Sequence, residues 1–361
     1  MNGSPSATLD AGPIGRTGDE TFRQLQPFRP SASTLAVMDE VIHALKAAGE
    51  PTRLRILVTL DRSELTVSEL CRILGQSQPR VSRHLKLLCE AGLLVRQAEG
   101  ANAYYRRART PLAEKFFAGL LPLVDDEDPA ALHDRHRLAQ VRADRAELAA
   151  RSAEKVAAEE EHIRHRRVPV EAVDAAMLEI AADLPTTTLI DVGTGTGRVL
   201  QLFGPQVESG VGVELSKEML NLARTRLEDQ GLTNCSVRHG NAYDLGAGVA
   251  PADLVVLHHV LRFLDEPATA VAQAAETVRP GGGLLIVDFA PHYLVELQES
   301  HGHRRLGFAD GEIGAWCEAA GLAEVSIRHL TPSPAETEIT PEERLTVTIW
   351  LARSGSTPTR H

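Results

Sequence analysis

The sequence predicts an α-rich winged helix-turn-helix domain followed by an α/β domain built on a mainly parallel sheet. Three observations carry that expectation. From Leu35 to Leu123 apolar side chains recur at helical spacing around one Gly-containing turn. From Thr188 onward, strand-length apolar runs alternate with helical patterns, as a parallel sheet covered on both faces requires. The first of those runs leads into Gly193, Gly195 and Gly197, where backbone can approach a ligand that a side chain would exclude.

At 361 residues the chain has room for two to three units of about 150 residues each. A hydrophobic share of 43% with 24% charged residues excludes a wholly disordered or fibrous chain. The net charge of −11 opposes nucleic-acid binding when read over the whole chain. Divided, it reverses: residues 41–120 hold thirteen bases against seven acids, and residues 168–361 hold thirteen against twenty-six. Only the first part can meet a polyanion. Four widely spaced cysteines without a CxxC pair read as reduced core thiols. The start, MNGSPSATLDAGPIG, has neither the charged end nor the apolar run of a secretion signal. No run approaches the ~18 apolar residues of a membrane span, so a cytoplasmic protein with no membrane partner is expected.

Taken in order, residues 1–33 are rich in Ser, Pro, Gly and Thr and read as a flexible arm. In the domain 34–124, Pro51 opens an apolar helix through Leu54, Ile56, Leu57 and Leu60. Ser68 to Leu74 forms a second helix that Gly75 ends. Ser77 is set to cap a third, which carries Val81, Leu85 and Leu88 on one face. Residues 93–97 and 102–107, around Glu99-Gly100, read as the two strands of a wing. On the third helix Ser77, Gln78, Arg80, Ser82, Arg83, His84 and Lys86 suit base edges and phosphates in a major groove, with Arg80, Arg83 and His84 on the outward side. Arg96, Arg106 and Arg107 on the wing are expected to reach flanking backbone, together with Tyr104 or Tyr105. A basic helix of this kind also suits a winged helix that binds protein.

Residues 125–167 begin with an acidic run and continue Ala-rich and densely charged, which predicts a long exposed helical linker or a partial coiled coil between two copies. In the domain 168–361 the glycine loop misses a dinucleotide fingerprint, because its third Gly comes one position early and Arg198 holds the expected slot. Asp191 repels a pyrophosphate but suits a ligand with an ammonium and a sulfonium. Glu214, ending GVGVE, suits two ribose hydroxyls. An adenosine with a cationic amino-acid tail is S-adenosylmethionine, and S-adenosylhomocysteine is its demethylated form. His258 and His259 follow the strand ADLVVL, where open α/β sheets place ligands, either as a base for a methyl acceptor or as a pocket wall. Asp288, His292, His301, His303, Arg304 and Arg305 are candidates to line an acceptor site. His301 and His303 lack the acidic or Cys partners of a metal site, and no metal is expected.

The run ALKAAGEPTRLRILVTL with LTVSELCRILGQSQPRVSRHLKLLCEAGLLVRQAEGANAYYR resembles the ArsR/SmtB family of winged-helix repressors. That resemblance implies a homodimer on double-stranded operator DNA, paired through residues 34–49 and 111–124. Thr66-Val67-Ser68 stands where metal-sensing members carry Cys-Val-Cys, and 111–123 has no His, so no metal effector is implied. The motifs DVGTGTGR, GVGVELS, HGNAYDL, ADLVVLHHVL and VRPGGGLLIVDF are similar to those of class I, UbiE-like, S-adenosylmethionine-dependent methyltransferases with a Rossmann-like fold. By that likeness Gly193, Gly195 and Gly197 border the methionine part above Asp191. Glu214 with Leu215 holds the ribose, Asn241 and Ala242 flank the adenine, and His258 adds to the wall. Asn241 departs from the family's usual Asp. Only Cys235 and Cys317 lie in this half, so thiolate-dependent arsenite methylation is not expected. Two functions remain open: a DNA-binding regulator with an active methyltransferase for a small-molecule acceptor, or a non-catalytic S-adenosylmethionine/S-adenosylhomocysteine sensor controlling a methionine-cycle operon.

Overall fold

The computed structural model describes residues 38–99, 102–125, 127–164, 166–245, 249–333, 340 and 343–355. The arm expected at 1–33 and the wing-turn residue Gly100 lie outside the described residues.

The first part runs α1 (Met38–Ala48), α2 (Pro51–Leu60), β1 (Leu65–Thr66), α3 (Val67–Leu74), α4 (Gln78–Glu90), β2 (Leu94–Glu99), β3 (Asn102–Arg107) and α5 (Pro111–Leu120). Glu50 caps α2 by accepting from Arg53 N at 3.0 Å. A capping box opens α3: Thr66 Oγ1 accepts from Glu69 N, and Glu69 Oε2 accepts from Thr66 N at 2.7 Å. Gly75, at φ +66°, ends that helix in a conformation other residues resist. Ser77 precedes α4 but makes no side-chain cap bond, contrary to expectation. Pro79 in the first turn lacks one of the N–H groups that such a cap would serve. Ile56, Leu57, Leu70, Ile73, Val81, Leu85, Leu88 and Phe117 close one core. The wing strands β2 and β3 pair antiparallel from Leu94↔Arg107 to Glu99↔Asn102, and β1 adds to the outer edge of β3.

The charged segment is helical, as α6 (Pro129–Arg164), but its N-terminal half is no exposed linker. Asp134 takes two bonds from Arg55 at 2.6 and 2.7 Å, and Val141 is buried in the helix-turn-helix core. Arg145 donates to both oxygens of Glu69 at 2.6 Å. Half-buried ion pairs, rather than an apolar stripe, hold this helix down. Glu69 thus serves a cap and a cation. Glu69→Ala is expected to lower stability by about 2–4 kcal/mol, since it removes the cap and strands Arg145; a chemical denaturation midpoint equal to the parent's would refute that double role.

The second part runs α7 (Val170–Ile180), β4 (Thr188–Val192), α8 (Arg198–Phe203), β5 (Ser209–Glu214), α9 (Lys217–Asp229), β6 (Cys235–His239), β7 (Ala252–His258), α10 (Pro267–Glu276), β8 (Val278–Phe289), α11 (Glu296–His301), α12 (Asp310–Ala319), β9 (Leu322–Leu330) and β10 (Val347–Ser354). Its seven strands are ordered β6-β5-β4-β7-β8-β10-β9. The first five are parallel, and β10 runs antiparallel between β8 and β9. Continuous apolar runs such as Leu254–Leu257 are buried because helices cover both faces. Cys235 and Cys317 are core thiols, pushed up to about 12 and about 11 by burial. Chain order reverses between β4 and β7, so the crevice beyond their carboxyl ends is the topological position for a ligand. Among the described residues no helix is long and apolar enough to cross a membrane.

Candidate functional site

Three adjacent parallel strands deliver the cofactor candidates to one edge of the sheet. Asp191 is the next-to-last residue of β4, Glu214 ends β5, and Asn241 and Ala242 follow β6. Asp191 is 1% exposed; its Oδ2 accepts from Thr194 Oγ1, while its Oδ1 is buried with no hydrogen-bond partner. Burial raises its carboxyl to about 7, and the nearby Glu214 charge adds to the rise. A buried acceptor left in that condition fits a cationic donor. Glu214 Oε1 accepts from Leu215 N and Ser216 N, both at 2.8 Å, and its Oε2 accepts from Gly195 N at 3.0 Å. A carboxylate has about four acceptor positions, so Oε2 retains one for a ribose hydroxyl.

The glycines divide the work. Gly193, at φ +72°, approaches so closely that an added Cβ would lie 2.5 Å from Val260 Cγ2. Gly195, at φ +50°, has no atom within 4 Å of such a Cβ, which leaves open space on the ligand side. Gly197 closes the loop onto α9 at Ala223. Leu215 is 62% exposed directly after Glu214, an apolar surface for a base or sugar. Asn241 is exposed and its Oδ1 accepts from Tyr243 N at 3.1 Å, leaving a second lone pair for an amino group. Ala242 packs against the core beneath it.

Across the reversal point, His258 ends β7 and His259 follows at φ +56°, a strained conformation for a non-glycine residue. Arg262, in the 3-10 turn Leu261–Phe263, donates to His259 Nδ1 at 2.6 Å and to the fully buried Asp288 at 2.9 Å. Arginine has no acceptor, so the His259 proton belongs on Nε2, which is buried without a partner. His292 repeats the pattern: Nδ1 accepts from Leu294 N, and Nε2 has no partner. Burial, reinforced by the Arg262 charge, holds His259 and His292 down to about 4 and His303 to about 3; it also lowers His258, which its neighbour His259 depresses further. Asp288 stays well below the ordinary carboxylate range beside Arg262, despite its burial. His259, His292, His303 and Arg262 all pack against Phe289. Such imidazoles are neutral donors suited to an oxygen acceptor, not bases poised near neutrality. Arg262 escaped sequence reading because VLRFL marks it only as a charge within an apolar run; its partner lies on another strand. His301 is on α11, while Arg304 and Arg305 pair with Asp265 and Glu312. Among the described residues no three His, Cys, Asp or Glu side chains converge as metal ligands do.

On the helix-turn-helix, Ser77 just before α4 and Gln78, Arg80, Arg83 and Lys86 on it are exposed, and Ser82 is half-buried. His84 does not join them: its side chain is 12% exposed and Nδ1 lies 3.6 Å from Glu50. The spacing that sets Arg80 and Arg83 outward turns His84 toward α2. On the wing, Arg96 is exposed, but Tyr104 and Arg106 occupy the other face of the ribbon, which packs on the α/β domain. Tyr104 lies under the Arg224 guanidinium at 3.7 Å, and Arg106 lines the crevice between the two parts. Neither is placed to reach a DNA backbone in this arrangement.

A family of bacterial regulatory proteins, the arsR family, matches residues 50–95, and a methyltransferase domain family matches residues 190–286. The chain joins an ArsR-family helix-turn-helix domain to a class I methyltransferase domain. The ArsR-family domain is 46% identical over 66 residues to the arsenical resistance operon repressor of Escherichia coli (strain K12), covering 18% of this chain and 56% of that protein. The methyltransferase domain is 26% identical over 137 residues to the uncharacterized methyltransferase YcgJ of Bacillus subtilis (strain 168), covering 38% and 53%. It is 25% identical over 167 residues to a ubiquinone biosynthesis O-methyltransferase of Aromatoleum aromaticum, covering 42% and 71%. The crystal structure of the Bacillus YcgJ protein overlays with a TM-score of 0.43 at 17% identity, over 52% of this chain and all of that one. The chain spans about half the length of the first curated relatives it matches.

Proposed function

We propose that the chain is an operator-binding regulator whose methyltransferase domain holds S-adenosylmethionine and methylates a small molecule. One observation carries the cofactor reading: the buried Asp191 Oδ1, lacking any partner at the reversal point of the sheet, calls for a cationic donor. Gly193 and Gly195 admit the methionine part, Glu214 accepts from the ribose, and Leu215, Asn241 and Ala242 border the adenine. When bound, S-adenosylmethionine supplies an electrophilic methyl on a sulfonium whose sulfur keeps the bonding pair as it leaves. The chain's contribution is then mainly orientation. His259 and His292 donate from Nε2 to an oxygen of the acceptor, and His258 walls the methyl side. Those donors favour an acceptor that carries a carbonyl or carboxylate oxygen.

Exposed Arg80, Arg83 and Lys86 support the operator reading. The homodimer is supported by α1, where Met38, Val41, Ile42 and Leu45 form an exposed apolar stripe at helical spacing. Two measurements on the full chain test the proposal together. Calorimetry should register S-adenosylhomocysteine binding, and in vitro selection from a random duplex library should enrich an inverted repeat. Absence of ligand heat removes the cofactor assignment, and failure to enrich any sequence removes the operator.

A further inference from the structure

We propose that the methyltransferase domain has a second function: it clamps the wing in a docked state that withholds it from DNA, and α9 ties that clamp to the cofactor pocket. The second half of this proposal rests on the S-adenosylmethionine reading above.

The ribbon alternates its side chains between two faces, so Gln97, Glu99, Tyr104 and Arg106 share one. That face meets the methyltransferase domain. Gln97 Nε2 donates to Val237 O at 3.2 Å. Arg224 of α9, only 2% exposed, stacks on Tyr104, bonds Glu99 and lies 3.6 Å from Glu64 beside the ribbon. One turn on, Glu228 accepts from Glu64 N and Arg145. Arg224 and Glu228, four residues apart, are neighbours on one helix face, and that face is the clamp.

The opposite side and start of α9 belong to the cofactor loop. Glu214 holds the N–H groups of Leu215 and Ser216, and Ser216 caps the helix by accepting from Met219 N. Gly197 packs on Ala223, and Arg226 donates to Thr196 Oγ1 at 2.5 Å. A ribose competing for Glu214, or a ligand tail settling the glycine loop, therefore acts on the same 13-residue rod that grips the wing.

The grip is poised for release. Glu64 Oε1, Arg106 Nε and Arg224 Nε are buried there without hydrogen-bond partners, and a small crevice of about 50 Å³ remains between the two parts. Unsatisfied buried polar atoms weaken a contact, which favours a wing that can leave its docked state. A released wing exposes Tyr104 and the basic Arg106 and removes the methyltransferase domain's negative surface from the vicinity of the phosphates. Operator and cofactor-pocket ligand then bias one equilibrium, and each must change the other's affinity by the same factor.

The test uses the full chain, a labelled duplex of the selected operator and S-adenosylhomocysteine, with binding read by anisotropy. Glu99→Gln and Arg224→Gln are expected to tighten ligand-free operator binding about 5- to 150-fold, the usual span of such couplings, and to abolish the effect of S-adenosylhomocysteine on it. Calorimetry should show the ligand still binding. Glu99→Gln keeps side-chain shape should Arg224→Gln fold poorly, and faster amide exchange across residues 94–99 and 102–107 reports release directly. Unchanged operator affinity and exchange in Glu99→Gln overturn the clamp. A ligand response that persists in the variants overturns α9 as its route. If the parent binds no S-adenosylhomocysteine, the cofactor reading fails, whereas the ligand-free affinities still decide the clamp.

Discussion

Asp191→Asn is expected to raise the melting temperature of the ligand-free protein at pH 8 while abolishing S-adenosylhomocysteine binding. Its carboxyl is raised from an ordinary 3.8 to about 7, chiefly by burial. The folded state therefore holds the proton more tightly than the unfolded chain does. The stability tied to that proton is complete below about pH 4 and is lost as pH climbs to about 7. At pH 8 the folded protein carries a buried, half-paired anion, at a cost of about 2–4 kcal/mol. Asparagine removes the charge while its amide oxygen can still accept from Thr194, so scanning calorimetry should show a gain of several degrees, on the order of 2–4 °C per kcal/mol for a domain of this size. Ligand affinity moves the opposite way, because the ammonium needs the ionised carboxylate. Parent affinity should improve by up to about tenfold per pH unit between pH 6 and 7, and the neutral histidines contribute nothing in that window. A variant that melts lower at pH 8 but still binds would show that Asp191 serves the fold and not the ligand.

Arg83→Ala is expected to weaken operator binding by about 1–3 kcal/mol and to relax preference at one base pair of each half-site. Arg83 is exposed on α4, and its stem rises from a helix fixed behind by Val81, Leu85 and Leu88. Lys86, exposed on the same helix, gives the contrasting case. Lys86→Ala should weaken all duplexes alike and reduce the salt slope by about one. Competition among single-base variants of the selected operator separates the two outcomes, and an unchanged ranking with Arg83→Ala would assign that side chain to phosphate alone.

Which features the sequence discloses depends on how far apart their causes lie along the chain. The helix-turn-helix, the wing strands and the glycine loop all arise within a few residues of one another, so spacing alone reveals them. The strands from Thr188 onward are equally legible, because a parallel sheet buried on both faces forces unbroken apolar runs. Asp191 and Glu214 are visible for a related reason: each ends such a run, and neighbouring parallel strands bring their carboxyl ends to one edge.

The failures share a cause as well. Helical spacing places His84 near Arg80 and Arg83, but only the packing of α4 on α2 decides that its ring faces Glu50. Charge density makes α6 look solvated, yet Asp134 and Arg145 meet partners 79 and 76 residues away. Tyr104 and Arg106 read as DNA contacts because a wing ordinarily faces outward, whereas Arg224, 120 residues beyond Tyr104 in the chain, covers one face of this ribbon. Arg262 acquires its meaning from Asp288 on the next strand. Local periodicity and segment charge suffice to read a basic helix-turn-helix and an acidic, glycine-looped α/β domain in one chain, and the resemblance of its motifs adds the methyltransferase. That the second domain covers the wing of the first is visible only in the folded chain, because buried ion pairs between residues that no local pattern connects make the contact.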